Sequence, residues 1–230
     1  MDTSTTGTAF GGPRVKLPAD VTIPARPVGV VLFAHGSGSS RHSPRNRAVA
    51  AELNRQGFGT VLVDLLTETE ERFDLETRQL RFDIDLLTER VLAMVDQLRA
   101  GGEQDPAEEI ARLPLGLFGA STGAAAALAA AAQRPDDVPA VVSRGGRPDL
   151  AGPALRRVRS ATLLLVGELD EEVIRLNEDA REQLAGPAEL RIVPGATHLF
   201  EEPGALEEVA AQAADWFTRH LADAGVSRRS

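Results

Sequence analysis

Residues 113–133 read LPLGLFGASTGAAAALAAAAQ, and the architecture is worked outward from them. Leu113–Phe118 is an apolar run of strand length. Thr122–Gln133 is built almost wholly of alanine, the best helix former. Only Gly119, Ala120 and Ser121 separate the two, so a buried strand turns sharply into a helix that must lie back on its sheet. The turn itself, Gly119-Ala120-Ser121-Thr122-Gly123, is a G-x-S-x-G pattern in a strand–turn–helix setting. Glycine on either side keeps side chains from colliding in a tight turn. Ser121 is then expected above the sheet at a helix N-terminus, where partial positive charge favours an anionic intermediate. The plainer reading of the pentapeptide is a Gly-rich turn with no chemistry.

On both sides of this unit, short apolar runs alternate with helical patterns. Val28–Phe33 is a buried strand. Ser43 offers an N-cap and Pro44 a first helical residue, Val49 and Leu53 mark a helical stripe, and Gly57 closes it. Thr60–Val63 is the next strand. From Thr67 to about Arg78 the chain is polar and acidic without clear period, and a loop is expected. Leu80, Ile84, Leu87, Val91, Val95 and Leu98 then recur at helical spacing until Gly101 and Gly102. Ala140–Val142, Ala161–Val166 and Leu190–Val193 are further strands, with a helix from about Glu171 to Leu184. A final helix carries Leu206, Val209, Ala213, Trp216, Phe217 and Leu221 on one face. Strands this apolar, alternating with amphipathic helices, imply an α/β fold with a mostly parallel central sheet covered on both faces. Residues 1–13 are small, polar and Gly-rich, and are expected to form a disordered tail. Residues 14–230 form a single domain without repeat or linker. The Ala140–Leu155 segment is too short for a large cap domain, so the pocket is expected to be open or covered only by loops.

Composition narrows the function. Of 230 residues, 43% are hydrophobic and 26% charged, a balance typical of soluble globular proteins. The formal net charge of −9 gives no electrostatic support to a nucleic-acid partner, and no basic run suits a membrane surface. The absence of cysteine removes disulfides, thiolate metal sites and a cysteine nucleophile, and suits a reducing cytoplasm. The first fourteen residues lack the basic and apolar regions of a signal peptide, and Ala124–Ala132 is too short to span a bilayer. No metal or cofactor is implied, and the expected partner is a small molecule.

Reactive side chains are sought just after strands, where ligands gather in such sheets. His198, in the loop after the last strand, is the candidate base for Ser121, because a hydroxyl needs a proton acceptor to become a nucleophile. Asp170, just past Ala161–Val166, is the candidate carboxylate to orient His198, with Glu168 as the alternative. An acid here also suits capping of the following helix. The order Ser, Asp, His is the one this kind of sheet imposes. Acyl transfer also needs two backbone N–H groups aimed at the developing oxyanion. Thr122 is expected to supply one. Ser37, or else Gly38, supplies the other from His35-Gly36-Ser37-Gly38. His35 is read as a buttress of that loop, His42 as solvated and His220 as a helix-end residue. Arg41 and Arg45 follow the oxyanion loop, and Arg144 and Arg147 follow Ala140–Val142. Arg41 and Arg144, with Gly38, are candidate substrate contacts for a carboxylate or phosphate. Pairing of these arginines with the chain's own acids is the competing expectation.

The stretches HGSGSSRHSPRN (35–46), FGASTGAAAAL (118–128), SRGGRPDL (143–150) and PGATHLFEEPG (194–204) resemble the α/β-hydrolase superfamily, and most closely its dienelactone hydrolase-like group. The resemblance runs from about Val28 to Phe217. It implies a hydrolase with a serine-type triad and no cofactor. Dienelactone hydrolases themselves carry cysteine at the elbow, where this chain has Ser121. Some members of the group are fused to a phosphoribosyltransferase domain, of which these residues carry nothing. The expectation is hydrolysis of a carboxylic ester or lactone, an anionic one if the arginines face the substrate. The same triad also serves thioesterases, amidases and acyltransferases, and a non-catalytic binding module on this scaffold is the remaining alternative.

Overall fold

A computed structural model of the chain describes residues 3–10, 15–101 and 107–227. Eight strands form one sheet in the order β1-β2-β4-β3-β5-β6-β7-β8. They are β1 (Thr3–Phe10), β2 (Leu17–Pro24), β3 (Gly29–Ala34), β4 (Phe58–Val63), β5 (Leu115–Ala120), β6 (Ala140–Arg144), β7 (Ala161–Gly167) and β8 (Ala188–Val193). The pairings from β4 to β8 are parallel, while β1 and β2 add antiparallel at one edge. The helices are α1 (Pro44–Arg55), α2 (Glu68–Thr77), α3 (Ile84–Ala100), α4 (Ala107–Arg112), α5 (Thr122–Gln133), α6 (Glu171–Gln183) and α7 (Ala205–Ser227).

The central strands are buried on both faces, and alternate residues feed two cores. Val30, Leu32 and Leu117 pack with Leu87, Val91 and Val95 of α3 and with the alanines of α5. Val31, Phe33, Phe118 and Val142 face the other way, onto Val49 and Leu53 of α1 and Val209, Trp216 and Phe217 of α7. Gly116 has a packing reason: a Cβ there would meet the Phe217 ring at 2.5 Å. The alanines of α5 also have one. Ala124 through Ala127, Ala130 and Ala131 are fully buried, so only small side chains let this helix sit so close.

Three expectations are corrected. Thr3–Phe10 is not a disordered tail but an edge strand, in register with β2 from Thr3 opposite Pro24 to Phe10 opposite Leu17. Its threonines are polar yet β-branched, and branching at Cβ suits a strand. The rest of the expected tail, residues 1–2 and 11–13, lies outside the described residues. Residues 67–78 are not a loop but the helix α2, nucleated by a capping box. Thr67 Oγ1 accepts from Glu70 N–H at 3.2 Å, and Glu70 Oε2 accepts from Thr67 N–H at 2.8 Å. Lastly, the long helix expected from Leu80 begins only at Ile84. Leu80–Phe82 is a separate 3-10 turn, and Asp83 caps α3 by accepting from Leu86 N–H at 3.0 Å.

Candidate active site

The carboxyl ends of β3, β5, β6, β7 and β8 open on the same side of the sheet, which is where a parallel sheet presents its loops. Ser121 stands between β5 and α5 with φ 50° and ψ −121°, a conformation that non-glycine residues seldom adopt. The strain is over-determined by the backbone. Ser121 N–H donates to the Arg144 carbonyl at 3.2 Å, and the Ser121 carbonyl accepts from Ala124 N–H and Arg147 N–H at 3.1 Å. Both flanking glycines are obligatory here. A Cβ on Gly119 would lie 2.4 Å from Ala124 Cα, and one on Gly123 would lie 2.3 Å from the Ala34 carbonyl oxygen. Ser121 holds the N-cap position of α5, yet its side chain makes no capping bond, so the hydroxyl is not spent on its own helix.

His198 lies in the loop after β8, with Nδ1 2.6 Å from Asp170 Oδ2. Asp170 is the N-cap residue of α6 and makes no side-chain cap either. Glu168, the alternative acid, is committed elsewhere: its carboxylate accepts Gly195 N–H at 2.7 Å and so braces the histidine loop. The backbone zips the two loops together, through Glu168 N–H to Val193 O at 3.0 Å and Leu169 N–H to Ala196 O at 2.9 Å. A Cβ on Gly167 would meet Ala196 O at 2.4 Å, so this close approach needs glycine. The residues that follow β6 touch Ser121 on one side and His198 on the other. Arg144 receives the Ser121 N–H, and His198 Cε1 lies 3.6 Å from where a Cβ on the next residue, Gly145, would stand. A Ser121–His198 hydrogen bond is not among those formed by the described residues. Such contacts commonly tighten only when substrate arrives.

The oxyanion candidates fall together as well. Ser37, Gly38 and Thr122 line one open cleft. A Cβ on Gly36 would come within 3.0 Å of Ser121 Cβ, so the loop after β3 runs directly against the serine. Thr122 begins α5, and a first helical N–H has no carbonyl one turn earlier to accept it. His35 is the buttress expected. Nδ1–H donates to the Gly36 carbonyl at 2.9 Å and Nε2 accepts Leu65 N–H at 3.0 Å, which holds the ring neutral. Burial pushes its pKa below the ordinary histidine value.

The far wall of this cleft escaped the sequence reading, because it comes from α2 and the turn after it. Leu75, Asp74 and Arg81 line it with Leu66 and Leu87. Asp74 is nearly fully buried, and its carboxylate accepts Arg81 Nε–H at 2.6 Å. That guanidinium and two backbone N–H groups hold the Asp74 carboxyl below the usual carboxylate range against the effect of burial. The T-x-x-E capping box at Thr67 was the signal that could have revealed this wall.

Of the four arginines singled out, the structure pairs three. Arg41 binds Asp64 through both its backbone N–H and its guanidinium, and its Nε lies 3.5 Å from Asp20. Arg41 thus braces β2 against the loop after β4, as the competing expectation of pairing with the chain's own acids has it. Arg45 reaches Glu201 at 2.9 Å, and Arg147 holds Asp149 by two bonds of 2.9 and 2.7 Å. Arg144 is left unpaired by any acid of the described residues.

This sheet order and the serine on its strand–helix turn define an α/β-hydrolase fold. The sequence model of the dienelactone hydrolase family matches residues 17–222, and the chain belongs to that family. It is 52% identical to a dienelactone hydrolase from Anabaena variabilis of known structure, covering 95% of this chain and 99% of that one with a TM-score of 0.90. Two strains of Mycobacterium tuberculosis carry relatives named as phosphoribosyl transferases, 52% identical over 213 residues. The match takes in 93% of this chain and 46% of theirs, so this chain spans under half the length of those relatives. Est1E from Butyrivibrio proteoclasticus, at 16% identity and a TM-score of 0.75, shares the fold. No helix among the described residues is long and apolar enough to cross a membrane.

Proposed function

We propose that the protein is a serine hydrolase that cleaves a carboxylic ester or lactone through an acyl-enzyme. Ser121 Oγ attacks the carbonyl carbon while His198 Nε2 takes its proton. Asp170 holds His198 through Nδ1 and stabilises the imidazolium that forms. The N–H groups of Ser37 and Thr122 hold the oxyanion of the tetrahedral intermediate, aided by the N-terminus of α5. Collapse expels the alcohol, which takes the proton from His198. Water then repeats the sequence on the acyl-Ser121 ester and releases the acid. The steps call on no cofactor, and the lack of cysteine suits a reducing cytoplasm.

The observation that carries this reading is the 2.6 Å contact between His198 Nδ1 and an Asp170 that caps nothing. A binding module would have no use for that pair opposite a strained serine. The test is hydrolysis of p-nitrophenyl acetate by wild type and Ser121→Ala. The expected loss in kcat is about 10³- to 10⁶-fold, the range seen when a triad nucleophile is removed. Equal rates would remove Ser121 from the mechanism.

A further inference from the structure

Thr122 carries a hydroxyl that the fold has buried and given no partner. The residue is 2% exposed, and its Oγ1 meets no hydrogen-bond partner among the described residues. An orphaned buried hydroxyl costs stability, so one that persists calls for a reason. Thr88 Oγ1 and Ser143 Oγ share the condition, but of the three residues only Thr122 lines the cleft. The composition of α5 sharpens the question. Thr122 is the one hydroxyl-bearing residue of this helix, which is otherwise glycine, alanine, leucine and a terminal glutamine. Valine has the same branched shape and would fill the position without the orphaned group.

The place of the hydroxyl supplies the reason. Thr122 follows Ser121 and opens α5, where its N–H has no acceptor within the helix. Only Cα and Cβ separate that N–H from the hydroxyl, so both donors serve one small region. The loop after β3 closes on this region from both sides of Thr122. A Cβ on Gly36 would come within 3.0 Å of Ser121 Cβ, and one on Gly123 would lie 2.4 Å from the His35 carbonyl oxygen. An oxyanion accepts several hydrogen bonds, and each is worth more in a water-excluded site than in water. On the serine-hydrolase reading, we propose that the Thr122 hydroxyl is a third donor to the oxyanion, beside the N–H groups of Ser37 and Thr122. As the bond from Ser121 Oγ to the carbonyl carbon forms, the π pair moves onto oxygen and the serine proton goes to His198. Thr122 keeps its own proton throughout and only shares it with the oxyanion, until the carbonyl reforms. The hydroxyl is unpartnered at rest and partnered in the tetrahedral intermediate, so its gain falls on the transition state and not on substrate binding.

The test compares wild type, Thr122→Val, Thr122→Ser and Ser121→Ala on p-nitrophenyl acetate. Melting temperature and inhibition by phenylboronic acid, which forms a tetrahedral adduct on a reactive serine, are measured alongside. Thr122→Val should lower kcat about 10- to 100-fold and leave KM within about twofold of wild type, as for loss of a charge-assisted hydrogen bond made only in the transition state. The inhibition constant of phenylboronic acid should rise by a similar factor. The melting temperature of Thr122→Val should equal or exceed that of wild type, because the orphaned hydroxyl is gone. Thr122→Ser keeps the donor and should keep kcat within about threefold of wild type. An unchanged kcat in Thr122→Val, a loss confined to KM, a lower melting temperature, or a Thr122→Ser as slow as Thr122→Val would overturn the proposal. A wild type no faster than Ser121→Ala would instead bring down the serine-hydrolase reading, and the proposal with it. Should Thr122→Val not fold, Thr122→Ala also lacks the hydroxyl and carries the comparison.

Discussion

Five α-helices among the described residues begin at a serine, threonine or aspartate able to cap them, and they divide into two groups. At α1, α2 and α3 the cap is made: Ser43 accepts from Asn46 N–H, Thr67 from Glu70 N–H and Asp83 from Leu86 N–H. At α5 and α6 the residues are Ser121 and Asp170, of the same chemical types, and neither makes one. The first three helices start away from the serine, although Asp74 and Leu75 of α2 and Leu87 of α3 reach the far wall of the cleft. The last two start at the carboxyl ends of β5 and β7, where the site lies. An uncapped helix start forgoes about 1 kcal/mol, so leaving two of them open needs a compensating gain elsewhere. For Asp170 the gain is the bond to His198. For Ser121 the backbone is turned to φ 50° and the hydroxyl makes no bond to its own helix. A side chain withheld from its local duty is the physical mark of this site, and the arginines repeat it. Arg41, Arg45 and Arg147 are paired with acids, while Arg144 is not.

The largest effect that sharpens this contrast is expected at Asp170. Asp170→Asn should lower kcat on a p-nitrophenyl ester by about 10³- to 10⁴-fold, because the amide favours the wrong imidazole tautomer. With no cap to lose, its melting temperature should stay within about 2 °C of wild type. A drop in stability with modest loss of rate would make Asp170 an ordinary helix start.

The mirror experiment is Asp83→Ala, which removes a cap that is made. Stability should fall by about 1 kcal/mol, read as a melting point lower by about 2–4 °C, while ester turnover changes little. Loss of turnover without loss of stability would break the division into two groups.

The smallest effect concerns His35, which is held neutral under the oxyanion loop. Its folded pKa lies below the unfolded value, so the unfolded chain binds more protons in the window just below the ordinary histidine value of 6.5. The stability that His35 contributes is therefore present above that value and is lost as pH falls through the window. A denaturant midpoint should drop between about pH 7 and pH 5.5 in wild type, and drop less in His35→Gln. A midpoint that rises on acidification, or falls equally in the variant, contradicts the assignment.

Much of this was legible beforehand, for reasons that can be named. Strands β3 and β5 to β7 are buried on both faces and so announce themselves as unbroken apolar runs. The G-x-S-x-G turn is a local device, and its serine and glycines sit together in the chain. The antiparallel strands β1 and β2 were missed because neither is an unbroken apolar run: β1 is the polar edge of the sheet, and β2, between β1 and β4, carries Pro18, Asp20 and Pro24. The choice between Asp170 and Glu168 was not legible, since both follow β7 within three residues. The fold separates them: His198 lies against Asp170, while Gly195 engages Glu168. The pairing of Arg45 with Glu201 was hidden by sequence distance, the two being 156 residues apart.

The central claim is that Ser121 is a nucleophile activated by His198, and covalent labelling tests it most directly. A fluorophosphonate probe is allowed to react with wild type and with His198→Ala, and the modified peptide is mapped by mass spectrometry. The account predicts a single adduct on Ser121 in wild type, with labelling slowed by about 10³-fold or more in His198→Ala although the serine is still present. Labelling at another residue, or of Ser121 at the same rate in both proteins, would contradict it.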